Sequence, residues 1–394
     1  AVNPFHDTAP QQVQAAMDRF AALTGRQYRL FDYEGHPEAE RVLVLMGSGC
    51  ETAAETALAL GATGERVGVL KVRLFRPLAA EALVAALPAS TRRIAVLDRC
   101  KEPGCAAEPL QLDVVAAIAE HWPARLSPAG LLPQVVGGRY GLASKEFTPA
   151  MVKAVFDNLA AEKPRNHFTV GIDDDVTHRS LAVDPAWQLP STLPSGDAAG
   201  ERTGQSAGQN FEALFYGLGS DGTVGANKNT IRIIGEATGL HSQAYFVYDS
   251  KKSGSTTVSH LRVGKRPIRA PYLIQRAQLV ACHHWDFLGQ FDLLAQAAPG
   301  ATLLLNCPWP AEQCWPQLPQ RVQQQIRELG LRVFAVNAAA IAEAHGLGGR
   351  INTVMQACFF ALAEVMPMAQ AMAAMGEAIR HSYGRKGQAV VAAN

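Results

Sequence analysis

A glycine-rich stretch in the second half of the chain carries the residue types best suited to holding a phosphate group. Residues 217–229 read GLGSDGTVGANKN and contain Gly217, Gly219 and Gly222 in the pattern Gly-x-Gly-x-x-Gly. Glycines in this pattern let backbone N–H groups approach a diphosphate, and the dipole of a following helix attracts its charge. Because a predicted strand precedes the stretch and a predicted helix follows it, we expect a nucleotide-binding loop here.

The helix after this loop is predicted to run from about residue 227 to about residue 239. It would then open with three donors, Asn227, Lys228 and Asn229. The stretch lacks the Gly-Lys-Ser/Thr ending of a Walker loop. Since a lone Gly-x-Gly-x-x-Gly is a weak signal, a tight strand–helix connection that binds nothing is the alternative interpretation.

The end of the next predicted strand indicates which nucleotide would fit. A site for NAD places an acidic residue there, which accepts hydrogen bonds from the ribose hydroxyls. Here Asp249 is followed closely by Lys251, Lys252 and Ser253, and such donors suit a phosphomonoester. The cluster favours a nucleotide whose ribose carries a phosphate, either coenzyme A or NADP. The alternative is a solvated turn.

These positions depend on two successive sets of alternating strands and helices. The strands are short apolar runs, predicted at residues 41–46, 67–74, 94–97, 135–136 and 168–172, and then at 213–216, 244–248, 279–281, 302–305 and 333–336. The helices are predicted at about 8–23, 51–60, 81–87, 112–121, 227–239, 352–365 and 369–383. Apolar strands that alternate with helices imply mainly parallel sheets that are covered on both faces.

Residues 190–210 interrupt the alternation. They are rich in proline, glycine, serine and small polar residues and show no periodicity, which is typical of a connecting segment. We therefore predict an α/β protein with two Rossmann-like three-layer α/β/α domains, whose mainly parallel sheets are joined by an extended arm. The predicted first domain covers residues 1–165, the arm 166–209 and the second domain 210–394.

The composition limits the classes of binding partner and the cellular location that we expect for this protein. The 394 residues carry a formal net charge of +1, which gives no reason to expect nucleic acid or an anionic membrane as a partner. No apolar run reaches the roughly 18–20 residues that cross a bilayer. We therefore predict a soluble, cytoplasmic protein that binds neither nucleic acid nor a membrane.

The cysteines do not have the spacing of metal ligands. The seven cysteines are scattered and form no Cys-x-x-Cys pair, the spacing that zinc and iron–sulfur sites usually require. His283 and His284 follow Cys282, but adjacent side chains at the end of a strand project in opposite directions. We therefore predict no metal site and seven reduced thiols, most of them buried.

A second polar loop, DRCKEPG, begins at Asp98, where a predicted strand ends. Open α/β sheets place their ligand crevices at this edge. The loop is therefore a candidate binding element, and an exposed charged loop or a contact with another domain is the alternative.

Eight spaced motifs, in this order, match those of a known enzyme family. They are LTGRQYRLFDYEGHPEAERVLVLMGSGCET, GVLKVRLFRPL, LDRCKEPG, GGRYGLASKEFTPAMVKAVFDNL, HFTVGIDDDVTH, ALFYGLGSDGTVGANKNTI, YFVYDSKKSGS and RINTVMQACFFAL. Nearly end to end, the chain resembles the central part of the pyruvate:ferredoxin (flavodoxin) oxidoreductases. Residues 1–165 resemble their transketolase-C-terminal-like domain, and residues 210–394 resemble their gamma domain, the part associated with coenzyme A.

The resemblance implies that coenzyme A binds to the glycine-rich loop, to the lysine–serine cluster and to one residue that begins a later helix. The implied site residues are Gly217, Gly219, Ser220, Asp221, Gly222, Thr223, Val224, Gly225, Asn227, Lys228, Asn229, Lys251, Lys252, Ser253 and Asn352. In that family the complete enzyme converts pyruvate, coenzyme A and an oxidised acceptor to acetyl-coenzyme A, carbon dioxide and the reduced acceptor.

Other parts of the family's machinery have no counterpart in this sequence. It contains neither the Gly-Asp-Gly…Asn motif for thiamine pyrophosphate and Mg nor the cysteine runs for [4Fe-4S] clusters. We expect those cofactors in other domains of a parent enzyme, which would be partners of this chain. The resemblance also implies a homodimeric parent with flavodoxin or ferredoxin as acceptor. We therefore predict no catalytic residues here and no activity of the chain alone.

Two other functions are compatible with the loop considered by itself. A self-standing NADP-dependent oxidoreductase would use the same glycines, although no catalytic partner residues are evident. A non-catalytic interaction subunit of a multi-chain relative would use the loop only as structure. Binding of coenzyme A, dephospho-coenzyme A, NADP and NAD distinguishes these functions from one another.

Overall fold

The computed structural model describes residues 2–123, 131–189, 210–219, 221–248 and 256–394. These residues form two α/β units. The first unit contains the described residues up to 189 together with Arg269–Tyr272, and the second contains the rest. Each has its own sheet and its own hydrophobic core.

The described strands of the first unit are β1 Phe31–Gly35, β2 Arg41–Met46, β3 Val67–Val72, β4 Arg93–Asp98, β5 Gln134–Arg139 and β6 Phe168–Thr169. Its described helices are α1 Asn3–Thr24, α2 Gly49–Ala62, α3 Ala80–Ala86, α4 Pro109–His121 and α5 Pro149–Ala160. The strand order is β1-β3-β2-β4-β5-β6. Strand β1 runs antiparallel to β3, and the other pairs are parallel.

The central strand β2 explains why this sheet is covered on both faces. Its four inner residues are apolar and fully buried. Val42 and Val44 belong to one core cluster, whereas Leu43 and Leu45 belong to another. Because successive side chains of a strand point to opposite faces, an unbroken apolar run requires packing on both sides of the sheet.

The described strands of the second unit are β7 Phe211–Leu218, β8 His241–Tyr248, β9 Thr256–Gly264, β10 Ala277–Cys282, β11 Ala297–Asn306 and β12 Arg332–Val336. Its described helices are α6 Thr223–Ala237, α7 Phe287–Gln290, α8 Ala311–Gln317, α9 Gln320–Leu329, α10 Ala338–Ala344, α11 Asn352–Ala363, α12 Met368–Tyr383 and α13 Gln388–Ala393. Phe215 and Leu214 of β7 belong to core clusters on opposite faces of this sheet.

The order of the second sheet places a topological switch point beside β7. The order is β12-β11-β10-β7-β9-β8, in which β7 and β10 are parallel neighbours and β9 runs antiparallel between β7 and β8. After β7 the chain proceeds to β8 on one side, and it later returns as β10 on the other side. The carboxyl ends of β7 and β10 therefore flank a topological switch point, where open α/β sheets bind their ligands.

The predicted fold class is confirmed, since both sheets are mainly parallel and each has a core on both faces. Two strands that the sequence analysis did not predict, β1 and β9, are the antiparallel members. Strand β9 escapes prediction because His260 and Arg262 are buried in its middle. Polar residues at these positions hide the apolar pattern that marks a core strand.

Residues 166–189, assigned to the arm from the sequence, lie in the first unit. Strand β6 pairs with β5, and Val170 and Leu181 are buried in the same core cluster as Leu43. This part of the predicted arm therefore packs as part of the first unit. Residues 190–209 lie outside the described residues, and the boundaries at 165 and 209 stay a prediction.

The cysteines agree with the prediction of reduced thiols that are mostly buried. All seven cysteines are free thiols, and Cys50, Cys282, Cys307 and Cys314 are buried. Within the described ranges, none of the helices combines the length and the apolar character needed to cross a lipid bilayer.

Candidate functional site

The glycine-rich loop joins the end of β7 to the start of α6. Gly222 is the residue before the helix and has φ 85° and ψ 0°, a left-handed conformation that glycine adopts without steric cost. A Cβ on Gly222 would lie 3.1 Å from Cγ of Asn352. Both the backbone conformation and the neighbouring side chain therefore favour glycine at this position.

Asp221 organises the loop through its carboxylate. Its Oδ2 accepts a hydrogen bond from the amide of Leu218 (2.7 Å), and its Oδ1 accepts one from the amide of Thr223 (2.8 Å). These bonds stabilise the chain reversal and satisfy the first amide of α6. Asp221 thus supports the loop and starts the helix.

The predicted helix start at residue 227 is wrong, because α6 begins four residues earlier, at Thr223. The sequence pattern predicts the start where polar donors cluster. The structure places it where Asp221 binds the Thr223 amide and where Gly222 takes the left-handed conformation. Asn227 is therefore in the second turn, and the first turn consists of Thr223, Val224 and Gly225.

The first turn of α6 has backbone donors that no described residue outside the helix accepts. The amide of Ala226 donates to the carbonyl of Gly222 (2.9 Å), whereas the amides of Val224 and Gly225 precede the helical hydrogen-bond ladder. Gly225 is exposed, and a Cβ built on it would meet no described atom within 4 Å. This open first turn at the positive end of the helix dipole has the features of an anion site.

Gly217 serves the packing of the loop. It is buried at the end of β7, and a Cβ there would lie 2.5 Å from Oγ1 of Thr223 and 2.9 Å from Oδ2 of Asp221. Any side chain would therefore displace the residues that start α6. Gly219 lies in the exposed turn before Asp221.

Some of the remaining predicted site residues lie within the described ranges, and others do not. Asn352, at the start of α11, is brought beside Gly222. Asn227 is buried, and its Nδ2 has no hydrogen-bond partner among the described residues. Lys228 is exposed, with Nζ 5.5 Å from the ring centroid of Phe246 on β8, and Asn229 is half-buried in the second turn. Ser220, Lys251, Lys252 and Ser253 lie outside the described residues.

His283 is a residue of this region that the sequence analysis did not assign to the loop. It follows β10 directly, and a 2.7 Å hydrogen bond joins its Nδ1 to Oγ1 of Thr223 across the switch point. Burial lowers the pKa of His283, with Asp221 opposing the shift, so the imidazole is neutral at pH 7. The sequence offers one indication of this role, a histidine directly after a buried strand. It does not identify the partner, because Thr223 is 60 residues away.

Family models match both units. The model described as pyruvate ferredoxin/flavodoxin oxidoreductase matches residues 212–394. The model described as pyruvate:ferredoxin oxidoreductase core domain II matches residues 39–140. The glycine-rich loop, His283 and Asn352 therefore all lie within the first of these matches.

Similar curated proteins extend this match over the whole chain. A pyruvate-flavodoxin oxidoreductase of Trichormus variabilis is 54% identical over 394 residues, which are 100% of this chain and 31% of that protein. One from Rhodospirillum rubrum is 55% identical, over 100% of this chain and 32% of that protein. Among solved structures, a pyruvate oxidoreductase subunit of Thermotoga maritima is 19% identical with a TM-score of 0.37, over 47% of this chain and 90% of that one.

The chain spans about a third of the length of these curated relatives. The aligned region covers both units, and two separate models of one enzyme family match those units in order. The second unit therefore matches the pyruvate ferredoxin/flavodoxin oxidoreductase family model, and the whole chain is similar to the corresponding third of the curated pyruvate-flavodoxin oxidoreductases.

Proposed function

We propose that the second unit binds coenzyme A at the first turn of α6, as part of a 2-oxoacid oxidoreductase acting on pyruvate. The reaction of the whole enzyme would convert pyruvate, coenzyme A and an oxidised acceptor to acetyl-coenzyme A, carbon dioxide and the reduced acceptor. This chain would contribute scaffold and coenzyme A binding and would be inactive alone. Thiamine pyrophosphate, Mg and [4Fe-4S] clusters would be held by other domains of the parent, a cytoplasmic homodimer that reduces flavodoxin or ferredoxin.

The open first turn of α6 carries this proposal. The amides of Val224 and Gly225 are available to a diphosphate, and Gly222 keeps the approach clear because it has no side chain. Their position at the switch point between β7 and β10 is where open α/β sheets bind nucleotides. The side chain of Asn352 would border the same approach.

The 3′-phosphate of coenzyme A is assigned from the sequence to Lys251, Lys252 and Ser253. These residues follow β8, which runs in the same direction as β7 with β9 between them. Leu218 and Tyr248 pair with the adjacent β9 residues Thr256 and Thr257, so β7 and β8 end at the same edge of the sheet. That shared edge supports one ligand contacting both strand ends.

Calorimetric titration of the chain with coenzyme A, dephospho-coenzyme A, NADP and NAD tests the proposed function. Coenzyme A should bind saturably. Dephospho-coenzyme A should bind roughly 10- to 100-fold more weakly, because a hydrogen bond to a charged group is lost. Both nicotinamide nucleotides should bind more weakly than coenzyme A.

The other outcomes are also informative. Equal affinity for coenzyme A and dephospho-coenzyme A would remove the lysine–serine assignment. Tighter binding of NADP than of coenzyme A would favour the self-standing oxidoreductase. Failure of all four ligands to bind at about 1 mM would leave the loop either as a structural connection or as a site that needs other domains of the parent enzyme.

A further inference from the structure

A cavity of about 370 Å³ lies within the first unit, apart from the glycine-rich loop. Its lining comes from the loop after β4, from the last residue of β5 and from residues 165–168 at the start of β6. It therefore lies beside the carboxyl ends of β4 and β5, the edge at which α/β sheets bind ligands. We call it the basic cavity and define it by its charged lining residues together with His167, namely Lys101, Glu108, Arg139, Arg165, His167 and Arg179. Its volume is within the range of small-molecule pockets.

The charge of this lining is unbalanced. Four side chains that are cationic at neutral pH face one carboxylate, that of Glu108. Nη1 of Arg139 is 3.5 Å and Nζ of Lys101 is 3.6 Å from Oε1 of Glu108. Arg179 is exposed and has no carboxylate partner among the described residues. The excess of positive charge favours an anion with more than one negative charge.

The floor of the basic cavity is preorganised. Arg139 is 5% exposed and Glu108 is 2% exposed. Nη2 of Arg139 donates to the carbonyl of His167 (2.7 Å), whereas its Nε has no acceptor among the described residues. A buried guanidinium with an unused donor is costly, and a bound anion nearby would compensate its charge.

The wall of the cavity is fixed by a second arginine. Nη1 of Arg165 donates to the carbonyl of Ser180 (3.3 Å), and Nη2 donates to the carbonyl of His178. A guanidinium has five N–H donors, and among the described residues only these two carbonyls accept hydrogen bonds from the guanidinium of Arg165. His167 has φ 55°, a conformation rarely adopted by residues other than glycine. Asn166 stabilises this conformation, because its Oδ1 accepts hydrogen bonds from the amides of His167 (3.0 Å) and Gly137 (2.7 Å).

We propose that the basic cavity binds a small molecule carrying a phosphate or diphosphate group. Arginine forks match phosphate oxygens in geometry. A phosphate monoester carries about −1.5 to −2 charges at pH 7, more than the single charge of a carboxylate. Arg165 and Arg179 would contact the ligand, Lys101 would supply charge at the rim, and Arg139 would stabilise the anion from the floor.

Titration of the 394-residue chain with inorganic pyrophosphate at constant ionic strength tests this proposal. Arg179→Ala and Arg165→Gln should each weaken pyrophosphate binding roughly 10-fold or more. Arg19→Ala is the matched control, because it removes one exposed positive charge from α1 of the same unit, and it should leave the affinity unchanged. Inorganic phosphate should bind to the same site more weakly than pyrophosphate.

A second experiment distinguishes anion binding in the basic cavity from anion binding at the glycine-rich loop. In a Gly222→Val chain, which disrupts the proposed diphosphate site of the second unit, pyrophosphate should still bind to the basic cavity with the same dependence on Arg179. Loss of pyrophosphate binding in that chain would assign the anion to the loop and overturn the proposal. So would the absence of saturable binding up to about 10 mM, or equal weakening by Arg179→Ala and Arg19→Ala.

Discussion

Replacing Gly222 with valine should reduce the affinity for coenzyme A by more than about 100-fold. At φ 85° a β-branched residue is strained, and its Cβ would lie 3.1 Å from Cγ of Asn352. Relief of either conflict would rotate the first turn of α6 and move the amides of Val224 and Gly225. The added methyl groups would also occupy the space that a diphosphate needs. Calorimetric titration with coenzyme A measures the loss.

Gly330→Val is the matched control for this substitution. Gly330 ends α9 in the same unit and has φ 62°, and a Cβ added to it would meet no described atom within 4 Å. It therefore introduces a comparable backbone strain away from the loop. Gly330→Val should lose stability and keep the wild-type affinity for coenzyme A. A folded Gly222→Val chain with wild-type affinity would exclude the first turn of α6 as the diphosphate site.

Breaking the ion pair between Glu212 and Arg262 should destabilise the second unit by about 3–5 kcal/mol. Nε of Arg262 on β9 is 2.6 Å from Oε1 of Glu212 on β7, and Arg262 is 2% exposed. Glu212→Leu would leave a buried guanidinium that cannot lose its proton. We expect Glu212→Leu to be the most destabilised of the variants of this pair. The measurement is amide hydrogen exchange in β7 and β9, which should become faster and which reports on the second unit alone.

Arg262→Met should be less costly and should depend on pH. Burial raises the pKa of Glu212, and Arg262 opposes that shift, so removal of the arginine raises the pKa further. A carboxyl whose pKa is higher in the folded than in the unfolded state stabilises the fold when protonated, and it loses that contribution as the pH rises. The loss of unfolding free energy that Arg262→Met causes relative to the wild type should therefore become smaller when the pH falls from about 8 to about 5.

The exposed pair Arg232–Glu236 on α6 is the control for both variants. Its Nε–Oε1 distance is 3.2 Å, and its side chains are 52% and 67% exposed. Glu236→Gln should change the free energy of unfolding by about 0.5 kcal/mol or less. An effect of Glu212→Leu no larger than this would show that the pair between β7 and β9 contributes little.

The parallel strands were predictable because burial on both faces leaves an unbroken apolar run. Strand β2 has the predicted bounds, Arg41–Met46. Strand β9 was not predictable in this way, because His260 and Arg262 are buried polar residues whose partners are distant in the sequence. Its antiparallel pairing with β7 and β8 follows from tertiary contacts that no local pattern encodes.

The position of the candidate site was predictable from the sequence, whereas its geometry was not. The glycine spacing identified the loop, and the family resemblance added Asn352, which lies beside Gly222. The start of α6 was misjudged because it depends on one carboxylate, that of Asp221, and on one backbone angle. His283 was not predicted as a site residue, and of the basic cavity only Lys101 lies in a predicted candidate binding element, the DRCKEPG loop. Both sites combine residues that only the folded sheet brings together.

Amide resonances of the labelled chain, recorded with and without saturating coenzyme A, test most directly whether the first turn of α6 holds the diphosphate. The amides of Val224 and Gly225 should shift and exchange more slowly with solvent, because they would donate to phosphate oxygens. The corresponding amides of α9, those of Arg321 and Val322, should be unchanged. Protection at Val224 and Gly225 is the expected result, and saturable binding of coenzyme A without any change at these two amides would contradict it.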